Sequence, residues 1–155
     1  MTPVHVCYYP SPIGLIEIAA AGEAITSLAF VAQPGADAAP TPLLDEAIRQ
    51  LAAYFAGVRQ TFDLPLALQG SAFQRRVWSH LLTIPYGRTC SYQEVAEALG
   101  QRSAIRAVGA ANGRNPIAII VPCHRVIGSD GKLVGYGGGL WRKEWLLHHE
   151  GSLLI

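Results

Sequence analysis

Cysteine is scarce in this chain: three in 155 residues, and Cys7, Cys90 and Cys123 are far apart and odd in number. That pattern argues against a disulfide framework and for a reducing compartment. No Cys-x-x-Cys pair occurs, so a zinc ribbon or finger is excluded. Charged residues are few as well, 15% against 50% apolar, the reverse of a disordered chain. No stretch approaches the ~18 consecutive apolar residues that a membrane span needs, and "MTPVHVCYYP" has neither the basic region nor the apolar run of an export signal. The expectation is a folded cytoplasmic protein with no membrane partner, long enough to bury a core without staples.

What charge there is lies unevenly. Residues 1–69 hold two Arg against six acidic residues, net −4, while residues 70–155 hold ten Lys/Arg against five acidic ones, net +5. A nucleic-acid face in the C-terminal half fits this bias, and so does an ordinary solvated basic surface.

Two lobes are expected, 1–69 and 70–155. In the first, "VHVCYYP", "IGLIEIAA" and "AITSLAFV" read as strands of an antiparallel sheet, with a turn at Ala21-Gly22-Glu23. "QPGADAAPTP" is a loop. Thr41 then offers an N-cap and Pro42 a first helical position, with Leu44, Ile48, Leu51 and Phe55 on one face. The lobe boundary falls near Gly70. The second lobe is mostly helical. Ser71 with Gln74 and Ser91 with Glu94 have capping-box spacing and start helices at 72 and 92, and "SAIRAVGAAN" adds another, giving a helix-turn-helix over 91–113. "NPIAIIV" reads as a buried strand, and "LWRKEWLLHHEG" as a last helix. The glycines at 137–139 either let a backbone approach something closely or form a flexible loop.

The default for a cysteine beside an apolar run is core filler, and Cys7 and Cys90 are read that way. Cys123 differs, because Pro122 precedes it and His124-Arg125 follow, a cationic setting that lowers a thiol pKa. On an extended chain neighbouring side chains point apart, so Cys123 and His124 need a turn or a bridging water to cooperate. Glu150, at the end of the last helix, is a candidate to orient the imidazole; a buried acid capping a turn is the other reading.

"NPIAIIVPCHRVIG", with "SYQEVA" and "IRAVGAANGRNP" upstream and "GKLVGYGGGLWRKEWLLHHEG" downstream, resembles in order the signature of the O6-alkylguanine-DNA alkyltransferases. The match is dense over 71–151 and looser in the first lobe. The resemblance implies an α/β (α+β) protein, with a ribonuclease-H-like N-terminal lobe and a helical C-terminal domain carrying a winged-helix-like helix-turn-helix. It implies direct-reversal DNA repair of double-stranded DNA containing O6-alkylguanine, with O4-alkylthymine left open, and one irreversible transfer to Cys123. His124 would be the water-linked base, Glu150 its orienting acid, Asn115 the tie across the active-site turn and Tyr92 the proton donor to the departing guanine. Arg106 would fill the gap left by the flipped base. Tyr92, Gln93, Ala107, Gly109, Ala110 and Arg125 would meet DNA, with small residues letting the helix lie in the minor groove.

Tyr136, Gly137, Gly138, Val126 and Ala118 would line the pocket. Ala118 and Gly137 stand where some relatives carry bulkier or polar residues, which predicts a roomier pocket that accepts benzyl as well as methyl. No cofactor or metal is called for; His5 and Cys7 alone fall short of a metal site. The protein is expected to act as a monomer, with clustering on DNA an open alternative. Two rivals remain. A thiol hydrolase or glutaminase would need oxyanion donors and would turn over, and an alkyltransferase-like damage sensor would bind without transfer but lacks the acceptor cysteine that is present here.

Overall fold

The computed structural model describes residues 2–152. Two compact units form: the described residues up to Gln69 together with Pro116–Ala118, and Gly70–Asn115 together with the described residues from Ile119 onward.

In the first unit β1 (Val4–Ser11), β2 (Gly14–Ala21) and β3 (Ala24–Val31) make an antiparallel meander in the order β1-β2-β3. Ile16, Ile18 and Ala20 alternate along β2 and are buried, the two-residue period of a sheet with a covered face. The cover is α1 (Pro42–Phe55), which buries Leu44, Ala47, Leu51 and Tyr54. Thr41 caps it through Oγ1, which accepts the Leu44 N–H, and Pro42 opens it as the sequence predicts. The loop before α1 is tied to β1. The Tyr8 hydroxyl donates to Glu17 and accepts from the N–H groups of Gly35 and Ala36, and Ala39 N–H reaches Val6 O.

Two distant segments close the outer edge of β3. Ile25 exchanges hydrogen bonds with Pro65 and Ala67, and Leu28 with Pro116 and Ala118, so the edge offers fewer unpaired groups. This differs from the expected contiguous lobe over 70–155, since Pro116–Ala118 returns to the first unit. It also corrects the strand expected over 117–121. Only Ile117 pairs; the chain turns over 118–120, with Ile119 at φ 70°. The run is apolar because it is buried, and burial alone does not separate a strand from a packed turn.

The second unit contains α2 (Ala72–Leu81), β4 (Cys90–Ser91), α3 (Tyr92–Ala98), α4 (Ile105–Gly113), a 3-10 turn (Cys123–Arg125), β5 (Val126–Ile127) and α5 (Leu140–His149). Both capping boxes form: Ser71 and Gln74 at α2, Ser91 and Glu94 at α3. The pair α3–α4 is the expected helix-turn-helix. β4 and β5 pair in parallel over two residues.

α4 is held against α2 by Trp78, whose indole N–H donates to Ala111 O at 2.8 Å. A β-carbon on Gly70 would lie 2.6 Å from the same indole ring. The ring cannot slide away without losing its bond to α4, so Gly70→Ala is expected to cost about 1–3 kcal/mol through overpacking. Thermal unfolding of this variant tests it; an unchanged midpoint contradicts the rigid seat proposed for Trp78.

Candidate active site

The turn Cys123–Arg125 is fixed by two asparagines and a strained isoleucine. Asn115 Nδ2 donates to Val121 O at 2.8 Å, Cys123 N–H bonds to the same carbonyl at 2.8 Å, and Asn112 Nδ2 reaches Cys123 O at 3.3 Å. Ile119 holds a left-handed φ that costs a β-branched residue about 1–3 kcal/mol, sustained here by the burial of its side chain. Asn115, expected to tie the turn together, is placed to do so. Asn112 was not anticipated from the sequence, where it reads as an ordinary helix-end residue.

His124 is fully buried, with Nε2 2.8 Å from Glu150 Oε2. Arg125 grips the same carboxylate with Nε on Oε1 at 2.8 Å and Nη2 on Oε2 at 3.0 Å, while Nη1 donates to Ile84 O at 2.6 Å. Burial alone would raise the Glu150 pKa, but the hydrogen bonds and charges of His124 and Arg125 outweigh it and hold the carboxyl below its usual range. Burial also depresses His124, against the pull of Glu150, so the imidazole rests neutral. An ionised carboxylate accepts only, so Nε2 carries the ring proton and Nδ1 keeps a lone pair. Nδ1 is buried and has no hydrogen-bond partner among the described residues. Of the two ring nitrogens it is the one that can accept a proton.

Burial pushes the Cys123 thiol up, and a hydrogen bond from Asn115 and the charge of Lys143 pull it part of the way back. The resting sulfur is therefore protonated and needs a base. This corrects the expectation that His124-Arg125 supply a cation to it: His124 is neutral and the Arg125 guanidinium is committed to Glu150 and Ile84. For the same reason Arg125, 7% exposed, is a buried structural cation and not a DNA contact.

The cation near the sulfur is Lys143, which the sequence reading missed. It is 0% exposed, and its Nζ donates to Val126 O at 2.6 Å, Val134 O at 2.9 Å and Gly135 O at 3.4 Å. A signal was present: Lys143, Leu146, Leu147 and Glu150 share the three-and-four spacing of one helical face, and all four are buried. Tyr92, at the start of α3, donates its phenol proton to Val134 O at 3.1 Å. Its pKa is raised by burial and by Cys123, with partial relief from Asn112, so it stays a proton donor. The Tyr136 hydroxyl is buried without a partner among the described residues, and its pKa is raised by burial and then by Cys123.

Arg106, Ala107 and Ala110 form an exposed face of α4. Gly109 is half-buried and faces the Tyr92 ring, and Gln93 is bonded to Glu97. Ala111, on the same helix, is buried. Val126 has its N–H on Cys123 O and its carbonyl on Lys143. Gly138 O takes a bond from Arg142, and a β-carbon on Gly137 would meet nothing within 4 Å. Ala118 belongs to the first unit, where its N–H bonds Leu28 O. Among the described residues no cluster of three or more His, Cys, Asp or Glu is disposed to hold a metal, and no helix is long and apolar enough to cross a membrane.

A buried thiol, a neutral imidazole held by a carboxylate and a helix-turn-helix with an exposed arginine mark a class: a helical domain of nucleic-acid-binding type that carries a buried cysteine. Comparison with known proteins narrows it. Residues 4–68 match the family model for the 6-O-methylguanine DNA methyltransferase ribonuclease-like domain, and residues 72–152 the model for the DNA-binding domain of the same proteins. The methylated-DNA--protein-cysteine methyltransferase of Mycolicibacterium paratuberculosis is 55% identical over 146 residues, covering 90% of this chain and 88% of its own. The crystal structure of the Mycobacterium tuberculosis O6-methylguanine methyltransferase is 51% identical, with a TM-score of 0.87 over 99% of this chain and 96% of that one. A structure of the M. tuberculosis protein in complex with DNA is 53% identical, with a TM-score of 0.88 over 96% of this chain and 93% of that one. The chain belongs to the 6-O-methylguanine DNA methyltransferase family.

Proposed function

We propose that this protein repairs O6-alkylguanine in double-stranded DNA by moving the alkyl group, once and irreversibly, to Cys123. The observation that carries the reading is the buried Glu150–His124 pair, which leaves the Nδ1 lone pair open on the residue next to a protonated thiol.

The steps follow from these groups. A base within the stack hides its O6 substituent, so the guanine leaves the duplex first. The exposed face of α4 enters the minor groove, with Arg106 filling the gap and Ala107 and Ala110 allowing close approach. His124 Nδ1 takes the thiol proton, directly or through one water, and Glu150 stabilises the resulting imidazolium. The sulfur attacks the alkyl carbon in line, a C–S bond forms and the C–O bond breaks with its electron pair going to the base. Tyr92 supplies a proton to that base, which departs as guanine. Water does not cleave the thioether, so the protein is spent, unlike enzymes with a hydrolysable intermediate. No cofactor takes part. The protein acts in the cytoplasm as a monomer.

Incubating a duplex carrying one O6-methylguanine with increasing amounts of protein tests the proposal. Restored guanine should equal the protein added. Turnover beyond one equivalent would indicate a hydrolase, and no restoration with tight binding would indicate a damage sensor.

Two further results are expected. Arg106→Ala should slow transfer from duplex DNA at least about tenfold, the scale of a few lost DNA contacts, while sparing transfer from the free base O6-benzylguanine. Equal loss on both substrates would place Arg106 outside DNA handling. With no side chain at Gly137, the pocket should accept benzyl at a rate comparable to methyl, and an unreactive O6-benzylguanine would sink the claim of a roomy pocket.

A further inference from the structure

Val134 O stands between two donors. Tyr92 gives it the phenol proton at 3.1 Å, and Lys143 Nζ reaches it at 2.9 Å while also holding Val126 O and Gly135 O. One hydroxyl has one proton to donate. In the resting protein the Tyr92 proton is therefore parked on the glycine-loop backbone, and it must leave Val134 O before it can reach a departing base. Val134 is 45% exposed, so water can reach this carbonyl when it loses a donor, though without holding the loop in place. Lys143 remains and does hold it.

We propose that Lys143 is a positioning residue that keeps Val134 O satisfied and the glycine loop joined to the acceptor turn while Tyr92 transfers its hydrogen bond from Val134 to the leaving guanine. The inference rests on the proton-donor role proposed for Tyr92. Three further observations favour it. Among the described residues Lys143 has no carboxylate partner, and its ammonium bonds three carbonyls, one on β5 and two on the loop. Its Nζ lies 5.9 Å from the centre of the Tyr92 ring, so the two donors share one environment. Burial brings its pKa down to about 8, with Cys123 holding it up, so the ammonium with all three N–H donors persists at neutral pH.

The test is a double-mutant cycle on the rate of alkyl transfer from O6-methylguanine duplex, followed by intact-protein mass. Lys143→Met should lose about tenfold in rate when Tyr92 is present, the scale of one hydrogen bond in a transition state. In the Tyr92→Phe background, where no phenol proton is parked, the same change should cost less than about twofold. Lys143→Arg, which keeps the charge and offers several N–H donors, should retain most of the rate with Tyr92, and it supplies the same cycle if the methionine variant does not fold. Equal losses in both backgrounds would overturn the proposal and leave Lys143 a purely structural cation. A wild-type protein that forms no adduct would contradict the alkyl-transfer reading itself and this inference with it. A protein that reacts but shows additive losses contradicts the inference alone.

Discussion

Cys123→Ala ends alkyl transfer altogether and leaves a protein that still binds alkylated duplex. In the proposed transfer the sulfur is the atom that bonds the alkyl carbon, and its neighbours among the described residues are poor substitutes. Tyr92 and Tyr136 are phenols whose pKa values are pushed up by burial and by the sulfur beside them, which makes them poor nucleophiles. His124 keeps its Nδ1 lone pair buried on the same turn, suited to taking a proton. The fold should survive, since removing one small buried atom costs on the order of 1 kcal/mol and the Asn112, Asn115 and Arg125 bonds around the turn go to backbone or to Glu150. Restored guanine should be undetectable, and gel-shift binding of O6-methylguanine duplex should persist. Residual transfer by the variant would mean that another residue is the acceptor.

Glu150→Gln should produce the second-largest loss, in both stability and rate. The carboxylate accepts from His124 and from two nitrogens of a buried guanidinium. An amide leaves Arg125 an uncompensated buried charge, which costs about 3–5 kcal/mol. An amide can also donate to His124 Nε2, which moves the ring proton to Nδ1 and removes the base; general-base catalysis of this kind is worth about 10²–10⁴ in rate. The same residue sets the response to acid. The folded state holds the Glu150 carboxyl below its ordinary value of 4.5, so its stabilisation is complete above that pH and drains away as pH falls. His124 is held below its ordinary value of 6.5, so the unfolded chain takes up a proton first and stability begins to fall below that pH. Wild-type unfolding midpoints should therefore drop in two stages on acidification, and Glu150→Gln should lose the lower one. A variant with wild-type midpoint and rate would refute the role given to this carboxylate.

Much of this arrangement is legible in the sequence because its causes are local. Thr41-Pro42, Ser71 with Gln74 and Ser91 with Glu94 each satisfy helix N–H groups within four residues, and the three helices begin where these residues place them. The strands alternate with the period of a one-sided sheet. Glu150 was within reach because the motif ending in His149-Glu150-Gly151 names it. What the sequence hides is long-range. Arg125 follows His124 and looks like surface charge until Ile84 O and Glu150 surround it. Lys143 sits among Arg142 and Glu144 in a segment that looks solvated, and only the carbonyls of Val126, Val134 and Gly135 explain its burial. The apolar run from Ile117 to Val121 gives no hint that its first residue joins β3 while Ile119 turns through a left-handed conformation.

The central claim is that Cys123 accepts one alkyl group and keeps it. Intact-protein mass spectrometry after reaction with excess O6-methylguanine duplex tests it most directly. The predicted result is a gain of one methyl group in exchange for one hydrogen, complete at a single equivalent, located on Cys123 by peptide mapping and unchanged on standing in buffer. A protein whose mass does not change, whose adduct lies on another residue, or whose adduct hydrolyses with time would contradict the account.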